Sequence, residues 1–178
     1  MTEGWAMWIT GLPSSGKSTI ANGVARRLKE MGVNVETLES DELRKILTPK
    51  PTYSEEERDW FYNVIVYIAK LLVRNGVNVI IDATGNKRAY RDNARRRISK
   101  FVEVYVKCSL NVCMKRDVKG LYKGALEGSI GTLPGIQTIY EEPLKPEVIV
   151  ETDKLTVNES VELVLNKLKE LRYIDSTV

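Results

Sequence analysis

The chain has 178 residues, 43% of them hydrophobic, with a formal net charge of +3 and no histidine. That length suffices for one domain with its own core, residues 1–178, and no run approaches the roughly 20 apolar residues a bilayer crossing needs. The absent histidine removes the commonest general base and metal ligand, and so mild a basic excess without interleaved aromatics argues against nucleic acid.

Taken in chain order, the pattern alternates strand and helix. Trp5 to Thr10 reads as a short buried strand, followed by a Gly-rich turn and a helix from about Lys17 to Met31. Gly32 stops that helix, and Val33 to Leu38 is the next strand. Helical periodicity runs from about Glu55 to Asn75, with Phe61, Ile65, Ile68 and Leu72 on one face. Val77 to Asp82 is a buried strand ending in a carboxylate. A basic helix, a strand from Phe101 to Cys108 and a helix from Asn111 come next. Glu147 to Glu151 is a last strand, and Asn158 to Leu171 a last amphipathic helix. This alternation predicts an α/β fold with a five-stranded parallel sheet covered on both faces.

Three stretches stand apart. Between Lys87 and Lys100, Arg88, Arg91, Arg95, Arg96 and Arg97 crowd one helix. They read as a solvated face, with an anionic small substrate a better fit than a nucleic acid. Residues 118–146 hold five glycines and three prolines, too irregular for a packed element, yet Leu121, Tyr122, Leu133 and Ile136 argue against disorder. A lid over an active site is the expectation. Cys108 and Cys113 are too few for a disulfide framework and read as buried small apolar residues. The N-terminal Met1-Thr2-Glu3-Gly4 lacks a secretory pattern, so a cytoplasmic protein free of membranes is expected.

The chemistry begins at Gly11-Leu12-Pro13-Ser14-Ser15-Gly16-Lys17-Ser18-Thr19, a Gly-x-x-x-x-Gly-Lys-Ser pattern lying between a predicted strand and a predicted helix. Glycines let the backbone curl so that successive N–H groups face phosphate oxygens, and the helix adds its positive N-terminal end. Lys17 then meets the β- and γ-phosphates of ATP, and the Ser18 hydroxyl ligates Mg2+. Asp82 ends its strand where a second carboxylate near the metal belongs; it either holds a Mg2+-bound water or caps the basic helix. No Asn-Lys-x-Asp element follows, which excludes a switch GTPase. A short chain with a lid before its last strand looks like a small-molecule P-loop kinase, a three-layer α/β/α sandwich. In such kinases the lid keeps water from competing for the phosphoryl group.

The acceptor half resembles the adenylyl-sulfate kinase family. Arg116-Asp117, Lys119-Gly120-Leu121-Tyr122 and Ala125 match that family's Arg-Asp-x-Lys-Gly-Leu-Tyr-x-x-Ala, and Gly135-Ile136, Tyr140-Glu141 and Glu151-Thr152-Asp153 continue the match. The resemblance implies transfer from ATP to the 3′-hydroxyl of adenosine 5′-phosphosulfate (APS), a step of sulfate activation. Glu39-Ser40-Asp41 stands where the family has Asp-Gly-Asp. Asp41 is therefore expected to deprotonate the hydroxyl and hold a metal-bound water, although a helix-cap role suits the same position.

Arg44 and Arg58 match substrate-binding arginines, with Lys119 a further cation for the phosphosulfate tail and Leu121 part of an apolar lid underside. Arg116 and Thr152 are expected on the ATP side. Members of the family are often homodimers, so a homodimer is the assembly to test. Arg88 and Arg91 also match family arginines.

Departures fall on the acceptor side. Phe61 replaces a substrate-contacting asparagine, Leu133 replaces a lid phenylalanine, and Thr84-Gly85-Asn86 replaces an Ile-Ser-Pro turn, leaving no hydroxyl at Gly85. A P-loop kinase for another hydroxyl compound, such as a sugar acid or a nucleotide, is the alternative those departures leave open.

Overall fold

The structure, a computed structural model, describes residues 3–175. Five strands, β1 (Ala6–Thr10), β2 (Val35–Glu39), β3 (Asn78–Asp82), β4 (Phe101–Lys107) and β5 (Val148–Glu151), form one parallel sheet in the order β2-β3-β1-β4-β5. Among the described residues seven helices accompany them: α1 (Lys17–Glu30), α2 (Ser40–Leu47), α3 (Glu55–Arg74), α4 (Arg88–Arg97), α5 (Leu110–Arg116), α6 (Leu121–Leu126) and α7 (Val157–Glu170).

The period of two along the central strand divides the core. Met7 and Ile9 point to one face, where Ile20 and Val24 of α1 and Val164 and Leu165 of α7 cover them. Ala6 and Trp8 point to the other, beneath Phe61 and Ile65 of α3 and Tyr90 and Ala94 of α4. Burial on both faces explains why these strands read as continuous apolar runs. The helix ends follow local chemistry. Ser54 caps α3 by accepting from the Glu57 N–H at 3.2 Å, and Thr156 and Glu159 close a reciprocal capping box on α7. No helix among the described residues is long and apolar enough to cross a membrane.

Residues 118–146 correct one expectation, since they are packed. Helix α6 lies within them, and Tyr122, Ala125 and Leu133 build a third apolar cluster with Cys108 and Cys113. Both cysteines are free and buried. Asp117 nucleates α6 by accepting from the Tyr122 and Lys123 N–H groups, each at 3.0 Å. Its capacity to form a turn is what the glycine count obscured.

The basic helix corrects another. Arg91 of α4 is fully buried, donating to Glu103 at 2.6 Å, to the Gly85 carbonyl, and to the Glu141 carbonyl at 2.6 Å. Arg95 donates to both oxygens of Glu147, at 2.6 and 2.9 Å. Glu103 faces α4 from inside the sheet, so these two arginines serve the fold; they neither make a solvated face nor await a substrate.

Candidate active site

Parallel strands end together, and ligands of such sheets bind outside their C-terminal ends. Here the register does the assembling. Ile9 lies beside Asp82, and Asp82 beside Glu39, so the P-loop, Asp82 and the Glu39-Ser40-Asp41 segment converge at one edge.

The loop between β1 and α1 is built for close backbone approach. A Cβ on Gly11 would lie 2.5 Å from the Val106 carbonyl oxygen and 2.7 Å from Ser15 Oγ. Gly16 adopts φ 102°, a left-handed conformation that glycine takes at little cost. Ser14 adopts φ 59°. Ser15 Oγ is buried with no hydrogen-bond partner among the described residues, a polar atom that a phosphate oxygen would satisfy. Lys17 curls back so that Nζ donates to the Leu12 carbonyl at 2.8 Å. Burial pushes its pKa down, and Asp82 and Asp41 partly restore it. Thr19 is exposed on the first turn of α1.

From the far side, Thr152 Oγ1 donates to the Ser15 carbonyl at 2.6 Å. Arg116 donates to that carbonyl at 3.2 Å and to the Thr152 carbonyl at 2.7 Å. These two residues brace the loop backbone, with Pro13 held by the Tyr122 hydroxyl at 2.9 Å.

Asp82 is buried, and burial raises its pKa against the opposing Ser18 hydroxyl and Lys17 ammonium. A helix-cap role for it is excluded, because α4 begins six residues later with Lys87 at its N-cap. Ser18, Asp82 and Asp41 offer oxygen donors of the kind Mg2+ takes, and Mg2+ fills its remaining positions with water and phosphate. Asp41 is no cap either: Glu39 holds that position on α2, and the Asp41 carboxylate pairs with Lys119. Burial, then Asp82 and Asp41, push the Glu39 carboxyl upward.

Beside the P-loop opens a cleft of about 850 Å3. Asp41, Arg44, Arg58, Lys119, Leu121 and Leu133, separated by up to 92 positions in sequence, all line it. Arg44 lies over Phe61 at 3.9 Å and over Tyr53 at 4.7 Å, and pairs with Glu57 at 3.1 Å. Phe61 is fully buried beneath that guanidinium, a supporting surface rather than a substrate contact. Leu133 is 5% exposed and packs into the lid cluster.

Tyr53 and Thr84 also line the cleft, and sequence reasoning gave neither a role. An aromatic residue immediately before a Ser N-cap was the available signal for Tyr53, whose φ of 54° turns the chain at the rim. Gly85 has φ 51°, and a Cβ there would meet Trp8 at 2.7 Å. Trp8 is held in place by donating to the Ala83 carbonyl at 2.9 Å, so the missing hydroxyl has a steric cause.

A family model described as adenylylsulphate kinase matches residues 3–151. A probable adenylyl-sulfate kinase of Pyrococcus abyssi is 44% identical over 172 residues, 97% of this chain and 99% of the relative. An adenylyl-sulfate kinase of Rippkaea orientalis is 44% identical over 176 residues, 99% of this chain and 97% of that one. Among solved structures, a Mycobacterium tuberculosis APS kinase in complex with AMPPNP and APS superimposes with a TM-score of 0.90 at 31% identity, covering 95% of this chain and 99% of the other. With a matched family model spanning most of its length, the chain belongs to the adenylyl-sulfate kinase family.

Proposed function

We propose that this protein is an adenylyl-sulfate kinase, converting ATP and APS to ADP and 3′-phosphoadenosine 5′-phosphosulfate, within one kinase domain whose lid is built from residues 118–146. The observation that carries the reading is the single cleft in which the P-loop edge meets Asp41, Arg44, Arg58 and Lys119. Gly11 to Thr19 would cradle the nucleotide phosphates, the unsatisfied Ser15 hydroxyl among them. Lys17 would stabilise the charge that develops on the transferring group. Arg116 and Thr152 would support that loop from behind.

On the acceptor side, Arg44, Arg58 and Lys119 would bind the anionic phosphosulfate, and Leu121 and Leu133 would cover the adenine. Asp41 would accept the proton of the 3′-hydroxyl as its oxygen forms the new bond to the γ-phosphorus. The bond from that phosphorus to the β,γ-bridging oxygen breaks, and ADP carries away the electron pair. Mg2+, held through Ser18 and through water by Asp41 and Asp82, would neutralise charge on the phosphates. Before that, Asp41 would part from Lys119, which frees both groups for the acceptor.

No nucleophilic hydroxyl fits at Gly85, which favours direct transfer over a phosphorylated enzyme intermediate. Chromatography of the products from ATP and APS tests the reading. Adenosine 3′-phosphate 5′-phosphosulfate appearing with equimolar ADP supports it, and ADP alone would refute it.

A further inference from the structure

The Thr84-Gly85-Asn86 turn replaces a Ser-Pro step, and the side chain of its third residue makes two bonds that a proline cannot. Asn86 is buried. Its Oδ1 accepts from Arg58 at 3.2 Å, its Nδ2 donates to the Ile139 carbonyl at 3.2 Å, and its own carbonyl accepts from the Glu141 N–H at 2.8 Å. One side chain therefore joins α3 to the exit of the lid segment.

Charge distinguishes the cleft's four cations, of which Lys45 pairs with Glu42 at 2.6 Å. Arg44 has Glu57 as a partner and Lys119 has Asp41. Arg58 is buried, and its partners are neutral oxygens: the Tyr53 carbonyl at 3.0 Å, Asn86 Oδ1, and the Thr132 carbonyl at 2.6 Å. Three bonds occupy three of the five N–H donors a guanidinium carries, leaving two for a ligand. A buried cation solvated only by neutral dipoles keeps its full charge, and a bound anion gains more from it than from a cation already paired.

We propose that Asn86 is a positioning residue for the acceptor. Its amide fixes the Arg58 guanidinium in the wall of the cleft without neutralising it, and thereby sets affinity for the anionic end of the acceptor. The inference rests on the proposed function, since it takes the cleft as the acceptor site.

Steady-state kinetics with ATP and APS on Asn86→Ala, Asn86→Asp and Arg58→Ala test it. Asn86→Ala should raise KM for APS roughly tenfold, with kcat and the KM for ATP within about twofold, as expected for loss of one bond that orients a charged group. Combined with Arg58→Ala it should add almost nothing, because both changes remove the same interaction. Asn86→Asp keeps an oxygen for Arg58 and makes that bond stronger, but it loses the N–H that reaches the Ile139 carbonyl, so a purely structural tie would loosen on the lid side and shift the KM of ATP and APS alike. The inference predicts instead that KM for APS rises at least about tenfold, because the new carboxylate both quenches Arg58 and repels the acceptor.

If Asn86→Ala does not fold, Asn86→Asp decides the matter alone. A wild-type KM for APS in Asn86→Asp, or equal increases for ATP and APS, would overturn the inference while leaving the proposed function intact. Failure of the wild-type protein to phosphorylate APS would overturn the functional reading and the inference with it.

Discussion

Lys17 is a cation placed where burial disfavours its charge, with Asp82 and Asp41 offsetting part of that cost. Phosphate oxygens would offset the rest, so Lys17→Ala should lower kcat by roughly 10²–10³-fold, about 2.7–4 kcal/mol. Its melting temperature should stay close to wild type, since Lys17 makes one hydrogen bond to the loop carbonyl of Leu12. Retention of a tenth of the activity would remove Lys17 from its assigned role. Asp41 is different, because it and Lys119 are each more than half exposed, and exposed ion pairs add little stability. Asp41→Asn should therefore slow single-turnover transfer strongly while the melting temperature and ATP binding hold; a near-normal rate would leave Asp41 without a catalytic part. At Gly85 the prediction concerns stability. Gly85→Ser forces a Cβ against Trp8 at a left-handed φ, and should destabilise the protein by about 1–3 kcal/mol in denaturant titration. No loss would mean that Trp8 yields and that the steric account of this turn is wrong.

Among the elements, the segment 118–146 behaves as two parts. Thr132, Ile139 and Glu141 are bonded to Arg58, Asn86 and Arg91, which anchors the second part on α3, the turn after β3, and α4. Gly120 and Gly128 adopt positive φ in the first part, which carries Lys119 and α6, and Asp117 does so just before it. Hydrogen exchange should accordingly show residues 132–141 protected already in the free protein. Protection of residues 117–131 should rise when an ATP analogue and APS are added. Equal exchange of 117–131 in both states would make it a fixed loop.

The same elements show how far the sequence could be read. All five strands and the helices α1, α3, α4, α5 and α7 were legible as elements, the long ones because apolar periods of 2 and 3.6 survive in a chain buried on both sheet faces. The buried role of α4 was not. An arginine facing a glutamate at the third position of the next strand looks identical, in sequence, to one facing water. Helix α6 was hidden by its glycines, since its start depends on the Asp117 side chain rather than on propensity. The P-loop was legible because its spacing is local. In the acceptor cleft, Arg44 and Lys119 came from family resemblance, whereas Tyr53 and Asn86 act through contacts that only the tertiary structure brings together.

Across the whole molecule, ion pairs join α4 to the sheet and to the segment entering β5. Burial pushes the Glu147 carboxyl up, but Arg95 and the Glu103 N–H more than offset this and hold it below the usual carboxylate range. A depressed folded-state pKa gives stability that is present above the unfolded value, near 4.3, and lost as pH falls through the folded one. The melting-temperature gap between wild type and Glu147→Gln should therefore be widest near neutrality and narrow below about pH 4. A gap independent of pH would show that the carboxylate charge contributes nothing there. Recognition of the phosphosulfate by this cleft is tested most directly by comparing APS with AMP under saturating ATP. Arg44, Arg58 and Lys119 line the cleft, and charge-assisted bonds to the sulfate should favour APS in kcat/KM by roughly 10- to 100-fold. Equal efficiency with AMP would contradict that recognition.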